Sequence, residues 1–287
     1  MLVFNPFEVL RSRAAVKRQR IRVNEGVTQL KIAESGRRDG MPFVTLRDGL
    51  TFYGGDAPKF TGTWYARLPA AVRRTLAPEA AHVAFDIVIR YEEGGLKLGG
   101  PKKESRYVPQ PGDIVAEMGA YQGFFSLKLA EQVGPTGRVI AIEPMPDNTD
   151  LLRANATVNS LDQITVVQSG VWWEKDTMTF SRRKQDGQSA SIGLAYNAPD
   201  QFEVPVNTLD TIFAQADVPR VDFMVVQLNG AEAKAFAGLT TLQPRNLAIA
   251  ARYDDEDGPV APRLRKTLTD RGYKVDEEPG GFLFASC

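Results

Sequence analysis

The sequence predicts an α/β protein: a mostly parallel sheet with helices on both faces, preceded by a smaller mixed α+β region. Three observations predict it. From Gly112 onward, short apolar runs alternate with stretches of helical spacing, the rhythm of a sheet whose crossovers are helices. The first apolar run leads into an acidic residue and a glycine turn, Asp113-Ile-Val-Ala-Glu-Met-Gly-Ala-Tyr-Gln-Gly123. The second, Val139-Ile-Ala-Ile-Glu143, again places an acid at its carboxyl end, where open α/β sheets bind their ligands.

The bulk numbers agree. The 287 residues are 43% hydrophobic and 24% charged, enough apolar material for a sizeable core. The 35 basic and 35 acidic residues cancel, so net charge argues for no polyanionic partner, and no nucleic acid is expected. Their distribution is uneven. Residues 1–108 carry 19 Lys and Arg against 11 Asp and Glu, and the remainder carries 16 against 24. A basic front joined to an acidic body suits two halves that attract each other, or a surface that faces acidic partners. Cys287 is the only cysteine, which excludes an intrachain disulfide framework and a cysteine-based zinc site. His82 is the only histidine, so a Ser-His-Asp triad would have to use it. It lies in the apolar run Ala80–Asp86, where a packed histidine is the expectation. No apolar stretch is long enough to span a membrane, and the N-terminus lacks a secretory signal. A cytoplasmic protein is expected, with peripheral membrane contact as an option.

Taken in order, Leu2–Leu10 is apolar and aromatic, and Arg11–Arg22 is strongly basic. Together residues 1–22 read as an arm that docks on a protein or membrane surface, or as a helix packed on the body with its basic face solvated. Residues 23–108 read as mixed strands and turns. Pro42–Arg47 and Leu50–Gly55 are strand-like, Leu68–Leu76 is a short helix with proline near its start, and Val83–Tyr91 is a strand candidate. Residues 109–287 form the main domain. Its strands are Ile114–Glu117, Gly137–Glu143, Ile164–Gln168, Val221–Gln227 and Asn246–Ala251. Phe124–Val133 and Asn148–Asn159 are helices between them. The tail, Tyr273–Asp276 and Gly281–Ala285, reads as a strand pair closing the sheet. There is no internal repeat.

Gly119 and Gly123, with Ala120 between them, flank the first strand-to-helix turn. Small residues there let a ligand approach the backbone and the following helix N-terminus. A dinucleotide turn would have glycine at Tyr121, so a pyrophosphate fits poorly and a smaller carboxylate fits better. Glu117 is placed to hold a ligand amino group, and Glu143 to accept hydrogen bonds from vicinal ribose hydroxyls. Pro144 follows it. Gln168 and Ser169, at the end of the third strand, are positioned to meet an adenine edge. Trp172-Trp173 form either an aromatic platform for a ring or sugar or a packed pair. Arg182-Arg-Lys184 reads as a solvated loop or as a contact for an anionic substrate, the acidic run Asp254-Asp-Glu-Asp257 reads as a solvated loop, and no metal is expected.

On these residues the sequence resembles the FkbM family of methyltransferases, over roughly Pro111 to Ala251. The resemblance rests on Pro111-Gly-Asp-Ile-Val, Glu117–Phe125, Gly137–Pro146, Val206-Asn-Thr-Leu-Asp210 and Asn229-Gly-Ala-Glu232. It implies a class I methyltransferase Rossmann-like fold with a mostly parallel seven-stranded sheet. It also implies S-adenosylmethionine as cofactor and methyl transfer to an oxygen of a small-molecule, glycan or lipid-linked acceptor. The chain departs from the family pattern at Glu117, where aspartate is usual, at Tyr121, where asparagine is usual, and after the fifth strand, where Ile249–Tyr253 lacks an acidic residue often seen there. In the late motif, Val225, Gln227 and Asn229 stand for lysine, aspartate and glutamate. Gln227 and Asn229 can orient an acceptor but cannot act as bases. Glu232 completes the candidate catalytic set. Two functions therefore compete: an S-adenosylmethionine-dependent O-methyltransferase, and an inactive methyltransferase-like scaffold or accessory subunit of a larger assembly. An NAD-dependent reductase and a nucleic-acid methylase fit less well. A homo-oligomer is compatible with either reading.

Overall fold

The computed structural model describes residues 21–56, 65–96, 100–182, 190–192 and 200–287. Residues 1–20 of the basic arm, and Arg183 and Lys184, lie outside them. The chain divides into two compact units, residues 1–92 and 93–287.

In the first unit a helix, α1 (residues 21–29), precedes an antiparallel meander of β1 (Ile32–Arg38), β2 (Met41–Leu46) and β3 (Thr51–Tyr53). Then follow α2 (Ala70–Arg73), a 3₁₀ turn (Pro78–Ala80), α3 (Ala81–Asp86) and a π-helical stretch (Ile87–Glu92). The strand expected at Val83–Tyr91 is therefore helical. Its apolar run is buried on nearly every side, from Ala81 through Ile89. A run without polar alternation carries no period to separate strand from buried helix. The Asp86–Arg90 ion pair, 3.0 Å and four residues apart, is a helical spacing.

In the second unit β4 (Ile114–Met118), α4 (Phe124–Val133), β5 (Arg138–Glu143), α5 (Pro146–Val158) and β6 (Ile164–Gln168) alternate as the sequence predicts. A small sheet then intervenes, made of β7 (Gly170–Val171), β8 (Asp176–Arg182), β9 (Ala190–Ile192) and β10 (Asp200–Asn207), in the order β7-β10-β8-β9. The main sheet resumes through α6 (Leu209–Gln215), β11 (Phe223–Val226), α7 (Glu232–Ala237) and β12 (Asn246–Ala250). A short hairpin of β13 (Asp254–Asp255) and β14 (Gly258–Pro259) leads to α8 (Val260–Asp270), β15 (Lys274–Glu278) and β16 (Phe282–Ser286).

The seven-stranded order is β15-β16-β12-β11-β4-β5-β6, with β16 antiparallel to both neighbours and every other pairing parallel. This is the class I methyltransferase topology. Both faces are covered, which explains the near-continuous apolar runs of the central strands. Ala116, Met118, Met224 and Val226 face a core completed by α6, α7 and α8. Val115, Phe223 and Val225 face the opposite way, toward Phe125, Leu129 and Val133 of α4. The chain leaves β4 toward β5 and β6 and later returns to β4's other side as β11. The carboxyl ends of β4 and β11 therefore border the point where strand order reverses, the place such sheets open a ligand crevice.

Candidate functional site

The crevice is set by a close approach of two main chains. Gly119 has φ 78°, and a Cβ there would lie 2.5 Å from the Gln227 carbonyl oxygen. No side chain fits between β4 and β11 at that level. The amides of Gly119 and Ala120 donate to the Ile142 carbonyl (2.9 and 3.1 Å), which clamps the turn onto β5. Gly123, at φ 83°, caps α4, and a Cβ there would meet Leu152 Cγ at 2.8 Å. Asn155, fully buried on α5, donates to the Gln122 carbonyl at 2.8 Å. Tyr121 sits in the left-handed region at φ 55°. Asparagine tolerates this conformation better than a bulky residue does, which accounts for the family's preference there. The Tyr121 ring stacks on Phe124 with centroids 6.5 Å apart.

Glu143 closes β5 in a buried position. One carboxylate oxygen accepts from the Tyr121 amide (2.9 Å), the other from the Met145 amide and Asn148 Nδ2 (both 3.1 Å). Burial pushes its carboxyl above the usual carboxylate range, and these three hydrogen bonds oppose the rise. A carboxylate has about four lone-pair directions, so capacity for a further donor remains. Glu117 is bound differently. Lys103 Nζ lies 2.8 Å from its Oε1, and the Ser126 hydroxyl donates to Oε2 at 2.7 Å. The lysine and glutamate side chains are 6% and 2% exposed, a buried ion pair.

Across the crevice, the Gln227 amide donates to the Met118 carbonyl at 3.1 Å. Asn229 adopts φ 55° in the turn after β11. Glu232 is wholly buried, and its two oxygens accept from the amides of Leu228 (2.9 Å) and Gly230 (3.0 Å). That carboxylate is committed to holding the loop. Gln227 Nε2 and Gln122 Oε1 are buried without a hydrogen-bond partner. Orphaned polar atoms of this kind call for a ligand or water. With the glycine turn and Glu143, they fit a cofactor that carries a diol and a charged amino-acid end.

The sheet order thus groups Glu117, Gly119, Ala120, Tyr121, Gly123, Glu143 and half-buried Pro144 with Gln227, Asn229 and Glu232, on three adjacent strand ends. Gln168, the last residue of β6, and Ser169 after it lie one strand further out. Gln168 is exposed and accepts from Thr149 Oγ1 at 3.2 Å. The Ser169 hydroxyl donates to the Gly170 carbonyl (2.7 Å) and accepts from Asn207 Nδ2 (3.1 Å), turned toward the small sheet. Lys103, Gln122, Ser126, Asn148 and Asn155 were not singled out from sequence. The last three sit on helices that follow sheet strands, which is a usable signal, whereas Lys103 has none.

Other candidates resolve simply. His82 belongs to the first unit, where burial lowers its pKa against the pull of Asp86. Trp172 and Trp173 pack at 4.5 Å, and Lys234 Nζ sits 4.8 Å over the half-exposed Trp173 ring. The acidic run is ion-paired: Asp255 with Arg263, and Glu256 and Asp257 with Lys234. Among the described residues no acidic, cysteine or histidine group is placed to hold a metal ion.

Two curated relatives are protein-L-isoaspartate O-methyltransferases. That of Methanopyrus kandleri is 39% identical over 62 residues, 22% of this chain and 27% of that protein. That of Aeropyrum pernix is 47% identical over 47 residues, 16% of this chain and 18% of that protein. The chain therefore spans about a quarter or less of the curated relatives it matches. Among solved structures, a methyltransferase FkbM from Methylobacillus flagellatus is 15% identical with a TM-score of 0.44, over 71% of this chain and 54% of that one. The methyltransferase FkbM domain model matches residues 117–275, more than half of the chain. That span begins at Glu117 on β4 and takes in the glycine turn, Glu143 and the β11–α7 loop: the chain belongs to the FkbM methyltransferase family.

Proposed function

We propose that this protein is an S-adenosylmethionine-dependent methyltransferase acting on an oxygen of a small-molecule, sugar or lipid-linked acceptor. The observation that carries the reading is the main-chain approach of Gly119 to Gln227, with the Glu143 carboxylate at the end of the adjoining strand. In this reading Glu143 accepts a ribose hydroxyl, and the Gly119–Gly123 backbone faces the methionine end. When bound, the cofactor supplies an electrophilic methyl group. The protein's part is to hold the acceptor oxygen in line at about 3 Å, which is a matter of orientation. Gln227 Nε2, a buried donor without a partner, is the group best suited to fix that oxygen. Gln227 and Asn229 cannot take a proton, and Glu232 is spent on backbone amides. An acceptor hydroxyl that ionises readily, such as a phenol or an acid, suits this site best.

Calorimetric titration with S-adenosylmethionine and S-adenosylhomocysteine tests the reading. Micromolar binding that Glu143→Ala abolishes supports it, and no binding at millimolar ligand would sink it.

A further inference from the structure

We propose that Lys103 is a positioning residue of the cofactor site. It holds the Glu117 carboxylate in place, and supplies from the segment before β4 the cation that the neighbouring strand lacks. The inference rests on the reading of the Gly119–Gly123 turn as that site.

Glu117 is on the α4 face of the sheet, flanked in register by Ala141 on β5 and Val225 on β11. Neither offers a charge. Side chains at registered positions of parallel strands project to the same face, on strands about 4.8 Å apart. A lysine at 225, which the family pattern has, would therefore stand beside Glu117. Here Val225 is fully buried in the apolar core, and Lys103 fills the electrostatic role instead. The Lys103 amide donates to the Gly94 carbonyl at 2.8 Å, which fixes the connector that delivers the side chain. Its ammonium lies 3.9 Å from the centroid of the Phe125 ring, so the cation is bounded by a carboxylate and an aromatic face.

The consequence reaches the turn. Glu117 lies two residues before Gly119, and Ser126, which donates to its second oxygen, lies on the first turn of α4. The trio Lys103–Glu117–Ser126 thus ties strand to helix directly beneath the Gly119–Gly123 backbone. A buried carboxylate without its cation is strongly disfavoured, and the brace would be lost. Lys103 and Ser126 leave carboxylate capacity for a further donor, such as a cofactor ammonium.

The test uses the full chain and three variants, Lys103→Met, Val225→Lys and the double variant, each titrated with S-adenosylhomocysteine and melted thermally. Lys103→Met is expected to weaken binding by about tenfold or more, as removing a group that orients a ligand-holding side chain does. Val225→Lys alone is expected to weaken it too, because it buries a second cation. The double variant is expected to recover most of the wild-type affinity, a rescue that a packing role for the Lys103 stem would not produce. Wild-type affinity in a folded Lys103→Met protein would overturn the proposal. So would a double variant that remains unfolded or unable to bind. Failure of the wild-type chain to bind would instead strike at the cofactor reading itself.

Discussion

Replacing Gly119 with alanine tests the geometry on which the site depends. Two costs are separable. At φ 78° an alanine is strained by about 1–2 kcal/mol, because its Cβ crowds the following carbonyl. The new Cβ would also sit 2.5 Å from the Gln227 carbonyl oxygen, a main-chain atom that cannot swing aside. Relieving such an overlap by backbone movement costs a further 1–3 kcal/mol, roughly. The total is about 2–5 kcal/mol, much of the stability of an ordinary domain. Gly272 supplies the control: it has φ 86°, with nothing within 4 Å of its virtual Cβ. Gly272→Ala should show the conformational cost alone. Urea unfolding of the two variants gives the difference, and titration with S-adenosylhomocysteine shows whether the crevice has opened. The expected result is a larger loss in Gly119→Ala, accompanied by lost binding. Equal midpoints for the two variants, with binding intact, would refute a contact between β4 and β11 that only glycine allows.

Two further predictions follow from buried ionisable groups. Glu232→Gln replaces an oxygen facing a backbone amide with a donor. It should destabilise the chain by about 2–3 kcal/mol, read as a lowered urea midpoint, as expected when a charge-assisted hydrogen bond is lost; an unchanged midpoint would show that the loop holds itself. His82 gives a pH dependence. Burial lowers its pKa below 6.5, so the unfolded chain takes up a proton that the folded unit refuses. The stability this gives is complete above 6.5 and is lost as pH falls toward the folded value. Thermal melts between pH 8 and 5 should fall more steeply for wild type than for His82→Gln, and parallel curves would exclude the histidine as the cause.

What could be read from sequence follows the range of the interactions that decide it. The parallel series was legible because its central strands, β4, β5, β11 and β12, are buried on both faces, and β4 and β5 carry an acid near their carboxyl ends. Glu143 and Gly119–Gly123 were legible because the residues that shape the turn are neighbours in the chain. Val83–Tyr91 was misread because β-branched residues buried all round look alike in a strand and in a buried helix. The small sheet of β7–β10 went unassembled, since its strands pair only through a fold that the sequence pattern does not display.

Charge is the instructive case. Position by position, the late motif has lost a lysine, and the loss invites the reading of an abandoned site. Yet an acid stands at Glu117, and a buried glutamate beside valine and alanine would be left without a cation, an arrangement that costs several kcal/mol. Sequence alone holds that contradiction open. It is resolved in space, where Lys103 arrives fourteen residues ahead of its partner, carried by a connector with no periodic pattern to announce it. The retained acid is therefore better evidence about the site than the missing base. An unpaired buried carboxylate is under pressure to disappear, and this one has a cation from elsewhere.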